Sequence, residues 1–120
     1  MTNTSYNLVN DNTIRLFFDA FGNMKRFKIL AILKNDPMSV SRLQRVMNCE
    51  QSDISHNLQC LLNCGFVNKK ISGKERIYYV NEEAKPIINA VYKHINKYEK
   101  YLISCNIIAN PAISMKNRRL

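Results

Sequence analysis

Residues 49–80 constrain this chain more than any other stretch. Gln51 to Cys64 reads as a helix, with Ile54, Leu58, Leu61 and Leu62 at helical spacing along one side. Gln51, Ser52, Ser55, His56 and Gln59 fall largely on the other side. Gly65 is placed to stop that helix. Two β-branched and aromatic runs follow, 66–71 and 75–80, and Ser72-Gly73 between them signals a hairpin. Lys69, Lys70, Lys74 and Arg76 gather cations near its tip. A helix with short polar groups on its outer face, beside a basic hairpin, suits the DNA major groove. The helix fits the groove, its side chains reach base edges, and the cations hold phosphates.

The segments before it complete the pattern. Asp11 or Asn12 can cap a first helix, ending at Gly22, whose apolar stripe is Ile14, Phe17, Phe18 and Phe21. Asn23 caps a second, with Met24, Phe27, Leu30, Ala31 and Leu33 inward, and Asn35-Asp36-Pro37 breaks it. Ser39 caps a third, with Val40, Leu43, Val46 and Met47 inward. A short turn, Asn48 to Glu50, then joins the third helix to the fourth as a helix-turn-helix. Glu50 and Asp53 suit the positive end of the fourth helix.

Glu82 to about Ile108 reads as a last helix, with Pro86 in its first turn. Its stripe of Ile87, Ile88, Val91, Ile95, Tyr98, Leu102 and Ile103 would run roughly 37 Å at ~1.5 Å per residue. A small winged domain cannot cover that stripe and an aromatic first helix as well. The economical solution is a homodimer through the first and last helices. The expected fold is therefore mainly α with a small β-hairpin, a winged helix-turn-helix domain over 11–110. Residues 1–10 are expected to be a disordered N-terminus and 111–120 a flexible basic tail.

Composition narrows the partners. The 18 Lys and Arg outnumber the 9 Asp and Glu, giving a formal charge of +9 that suits a polyanion, nucleic acid above all. A merely soluble surface is the plain alternative. No apolar run approaches the ~20 residues of a membrane span, and the first residues lack signal-peptide character. A cytoplasmic protein is expected, whose 4 cysteines are thiols or metal ligands rather than a disulfide frame. No phosphate-binding glycine loop, Cys-His pair in motif context or acid pair points to an enzyme.

Cys60 and Cys64 are one helical turn apart, so their Cβ atoms stand ~5–6 Å from each other. That spacing lets two thiolates converge on one soft ion and exceeds the ~3.5–4.5 Å of a relaxed disulfide. The alternative is two small buried hydrophobes. Cys49 reads as a bystander at the turn or an alternative ligand, and His94 as a surface or dimer-interface residue.

The chain resembles the ArsR/SmtB family of winged-helix metal-responsive repressors. The residues that carry this are Phe21 to Leu30 (FGNMKRFKIL), Met38 to Leu43, Ser52 to Leu58, Leu61 to Val67 and Gly73 to Tyr79. Two positions depart from the family pattern: Met24 stands where proline is usual, and Asn57 where histidine is. Of the family's metal sites, the third-helix cysteine pair is missing, and the last helix carries only His94 and Glu99. Leu58 to Gly65 (LQCLLNCG) instead looks like the cadmium/lead-sensing branch. The resemblance implies thiolates from Cys60 and Cys64 and a third from Cys105, with Cd(II), Pb(II), As(III) or Zn(II) as inducer.

The expected function is a homodimeric repressor that binds double-stranded operator DNA and releases it when such an ion binds. Two alternatives stand beside it: a thiol-redox or persulfide switch through the same cysteines, and a ligand-independent DNA binder. Replacing Arg76 by alanine is expected to weaken binding to all duplexes and to lower the log–log salt slope by about one. An unchanged slope would remove the hairpin from the interface.

Overall fold

The computed structural model describes residues 10–107. The expected tail over 111–120 lies outside these residues, as does the expected disordered N-terminus except for Asn10. The elements are α1 (Asp11–Phe21), α2 (Met24–Asn35), α3 (Val40–Met47), α4 (Gln51–Asn63), β1 (Val67–Ser72), β2 (Glu75–Val80) and α5 (Lys85–Ile103). They fall into two compact units that divide after Lys85.

In the first unit, side-chain caps set where helices begin. Asn10, rather than Asp11 or Asn12, caps α1 by accepting from the Asn12 N–H at 2.7 Å. Asn23 caps α2 through the Arg26 N–H at 3.0 Å, and Ser39 caps α3 through the Arg42 N–H. Gly22 ends α1 by sterics: a Cβ there would stand 2.7 Å from the Phe18 carbonyl oxygen. α3 ends on Asn48, whose left-handed backbone (φ 53) reverses the chain into α4. Glu50 occupies the capping position of α4 without a side-chain capping bond, and with Asp53 in the first turn it puts negative charge at the positive end of the helix. Gly65, at φ +82, turns the chain out of α4 into the hairpin.

The core gathers where the helices meet the hairpin root. Ile29, Leu30, Leu33, Leu43, Ile54, Leu58, Leu61, Val67 and Val80 are all buried. Phe66 ties the hairpin root to α1, its ring centroid 5.5 Å from Phe17 and 5.4 Å from Phe21. Two residues expected inside are outside. Met24, in the first turn of α2, is 70% exposed, and Val46, in the last turn of α3, is 53% exposed. Each sits at a helix end, where the apolar face runs past the neighbouring helix. Ile29 takes the inward place beside Leu30.

β1 and β2 pair antiparallel from Val67↔Val80 to Ser72↔Glu75. The turn is thus the two-residue loop Gly73-Lys74, one residue later than expected, and it puts Lys74 at the tip. Met38 adds a third, one-residue strand: its N–H donates to the Tyr78 carbonyl at 3.2 Å and its carbonyl accepts from the Tyr78 N–H at 2.9 Å. A bare hairpin is marginal in water. This bridge and Phe66 hold it against the helices.

α5 starts at Lys85, not Glu82, and ends at Ile103, not near Ile108, so all of it but its first residue belongs to the second unit. Residues 82–84 form a turn in which the Ala84 N–H donates to the Asn81 carbonyl at 3.0 Å. Tyr98 leaves helical geometry (φ −112, ψ 19) and breaks the stripe into two pieces. Among the described residues, no helix is long and apolar enough to cross a membrane.

Burial here predicts stability. Leu43→Ala and Leu61→Ala are each expected to cost about 2–5 kcal/mol in urea unfolding, whereas Met24→Ser should stay within about 0.5 kcal/mol. A costly Met24→Ser would mean that α2 is covered where it is bare here.

Candidate nucleic-acid interface and thiol pair

α4 has two chemically distinct sides because its apolar residues recur every three or four positions. Ile54, Asn57, Leu58 and Leu61 are buried, while Gln51, Ser52, Ser55, His56 and Gln59 are exposed. The structure sorts these exposed residues by neighbourhood. Gln51 and Ser55 line a polar groove of about 500 Å³ with Lys74, Glu75, Arg76 and Tyr78 of the hairpin, the α3 cap Ser39, and Val40 and Ser41 of α3. Four of the seven expected DNA-facing residues thus surround one concave surface between the two ends of the helix-turn-helix and the wing. His56 lies apart from them, on a second cleft with Lys25, Arg26, Asp53 and Asn57. Ser52 and Gln59 line neither, and Gln59 donates to Asn63 Oδ1 at 2.9 Å along its own helix.

Sequence reasoning missed the serines at the start of α3 as groove residues, although Ser39 already signalled a helix start there. It also missed the polar link that positions α4. The Arg26 guanidinium donates to the Ala20 carbonyl at 2.9 Å, the Asp19 carbonyl at 2.8 Å and Asn57 Oδ1 at 3.1 Å. Asn57 is 5% exposed, and its amide donates to the Asp53 carbonyl at 2.9 Å and Asp53 Oδ1 at 3.0 Å. Asp53 Oδ2 pairs with Lys25. That bonded carboxylate, first by its hydrogen bond and then by its charge, holds the Lys25 ammonium above its ordinary pKa. The end of α1, the start of α2 and the middle of α4 are thus joined through one arginine and one buried amide. The departure at Asn57 has this bonding role.

Cys60 is half-buried and Cys64 exposed, and the Cys64 backbone N–H donates to the Cys60 carbonyl at 3.0 Å, one helical turn back. Burial, then the neighbouring Cys60 thiol, raise the Cys64 thiol above its ordinary value of 9.0, with Arg26 pulling the other way. Cys49, also half-buried, donates to the Met47 carbonyl at 3.4 Å and lines an apolar groove of about 450 Å³ between α2 and α3. Cys105 follows α5, in the second unit. None of the four cysteines is in a disulfide. Among the described residues, no three His, Cys, Asp or Glu side chains stand together as a group that could hold a metal.

A tight helix pair, a groove-lining fourth helix and a pinned basic hairpin define a winged helix-turn-helix domain. Residues 23–69 match the sequence model described as bacterial regulatory protein, arsR family. The chain is 33% identical over 75 residues to the HTH-type transcriptional regulator NmtR of Mycobacterium tuberculosis, covering 61% of this chain and 62% of that regulator, under two thirds of its length. Reduced HlyU from Vibrio cholerae matches at TM-score 0.62 and 26% identity, over 70% of this chain and 90% of that one. The winged helix-turn-helix domain Mb0332 of Mycobacterium bovis, titled homodimeric and a possible ArsR-family regulator, matches at TM-score 0.69 and 20% identity, over 75% and 84%. Residues 23–69 thus carry the sequence pattern of the arsR-family regulatory proteins, and the chain is similar in sequence and fold to these regulators.

The buried amide gives a direct test. Asn57→Ala strands the Arg26 N–H and frees the Asp53 acceptors, so a loss of about 1–3 kcal/mol is expected in denaturant unfolding. A loss below about 0.5 kcal/mol would mean that water replaces the link.

Proposed function

We propose that this protein is a cytoplasmic, homodimeric transcriptional repressor that releases its operator when a thiophilic ion is held by Cys60, Cys64 and Cys105. The observation that carries the reading is the placement of two thiols one helical turn apart, Cys60 in α4 and Cys64 at its C-terminal cap, on a helix whose exposed polar side lines a basic groove. DNA binding is supported by that groove and by the net charge of +9.

Dimerisation is supported by unburied apolar surface on both end helices. On α1, Leu16 and Phe18 are 51% and 62% exposed; on α5, Ile87, Ile95, Leu102 and Ile103 are also exposed. Two copies would cover these faces and place two α4 helices in successive major grooves.

The donor chemistry fits a soft ion such as Cd(II), Pb(II), As(III) or Zn(II): adjacent thiols, one of them open to solvent. A bound ion supplies a cross-link between thiolates. Cys60 and Cys64 would supply two of those thiolates from the end of α4, and Cys105 the third.

Titrating reduced full-length protein with Cd(II) should produce an intense sulfur-to-metal ultraviolet band that is lost in Cys60→Ser and Cys64→Ser. Both thiols must lose protons, so Cd(II) affinity should climb as pH rises from about 6 to 8. Cd(II) should also weaken binding to a duplex selected in vitro by the metal-free protein, by about 5–150-fold. A band that survives both substitutions, or duplex affinity indifferent to Cd(II), would contradict the reading.

A further inference from the structure

Ile71 is the most exposed large apolar side chain among the described residues, at 77%. It sits at an unusual place for one. The register pairs Ile71 with Arg76, next to the tip, and Lys69 with Tyr78 and Val67 with Val80 further down. Residues directly opposite each other point to the same face of a hairpin, and every second residue shares it. Val67, Val80 and Tyr78 are buried, so this is the face that looks toward the helices. Arg76 and Tyr78, on that face, line the groove beside Gln51 and Ser55. The face thus passes from a buried root to a tip bearing one bare isoleucine between cations.

The other face accounts for the neighbours that do not share this position. Lys70 lies over the Tyr79 ring at 5.8 Å, turned away from Ile71. Lys69 shares the face of Ile71, and Lys74 occupies the turn. Glu75 is the one acid within the hairpin, and it pairs with Ser72 on the opposite face. The β-branched Ile71 side chain is also stiff at χ1, so it holds a fixed direction.

We propose that Ile71 is an apolar wedge that enters the minor groove beside the α4 contact and partly unstacks a base step. The inference rests on the DNA-binding reading above. Lys69, Lys74 and Arg76 would meet the phosphates that border the groove. Apolar side chains delivered in this way open flexible pyrimidine–purine steps more readily than stiff A-tracts. Ile71 would therefore give the protein sequence preference at a position where no hydrogen bond reads a base. The phosphate contacts would remain independent of sequence.

The test uses full-length protein and a duplex of about 30 base pairs, selected in vitro by the metal-free wild type. 2-Aminopurine, whose fluorescence rises on unstacking, is moved one position at a time through the sequence flanking each half-site. Wild type is expected to brighten one flanking position and to prefer a TA step there over an A-tract by about tenfold. Ile71→Ser should abolish both effects and leave the salt slope unchanged, while Ile71→Leu should retain them. At such an exposed site the thermal melt should not move. Salt-dependent binding by wild type with no bright position, or the same step preference in Ile71→Ser, would overturn the wedge and leave the DNA-binding reading standing. Failure of selection to yield any bound duplex would overturn both.

Discussion

A helix of thirteen residues cannot fold alone in water, and α4 is held by what it buries. Ile54, Leu58 and Leu61 are fully packed on one side, so the opposite side is fixed as well: Gln51 and Ser55 must look outward. Everything else in the first unit follows from keeping that helix in place with one side bare. α3 supplies the partner for its first turns, the Asn48 reversal sets their angle, and Phe66 anchors the wing beside its far end.

Apolar packing alone would leave α4 some freedom to slide. The link from Arg26 through Asn57 to Asp53 is directional and partly buried, so it fixes the helix along its axis. Two of the acceptors on Arg26 are carbonyls in the last turn of α1, where orphaned carbonyls carry negative dipole. The same α1 leaves Leu16 and Phe18 uncovered. Any rearrangement of α1 in an assembly would therefore reach α4 through a short, rigid path. Asn57, Cys60 and Cys64 recur at three and four residues along α4, so the link and the thiol pair occupy neighbouring turns of one stripe.

Local periodicity made most of this fold legible. The stripe Ile54, Leu58, Leu61, the caps at Asn23 and Ser39, and the glycines at 22, 65 and 73 placed α1 to α4 and both strands to within a residue or two. Helix ends were read less well. Met24 and Val46 match the apolar period but overhang their neighbours, and the α5 pattern continues through Glu82 and Tyr98 where the backbone does not. The long-range polar link was not legible, because Arg26 and Asn57 are 31 residues apart and each looks like a surface residue in its own segment. Of the interface, residue type and helix face identified Gln51, Ser55, Lys74 and Arg76. They could not show that His56 belongs to a different cleft, since that depends on where the start of α2 sits.

The central claim is that the polar side of α4 and the inner face of the wing together meet DNA. Backbone amide chemical-shift mapping of the labelled, metal-free protein with an in vitro selected duplex tests it directly. The account predicts the largest shifts at Gln51, Ser52 and Ser55, at Ser39 and Ser41, and along 69–76. Shifts concentrated on the exposed faces of α1 and α2, with α4 and the wing unmoved, would contradict it.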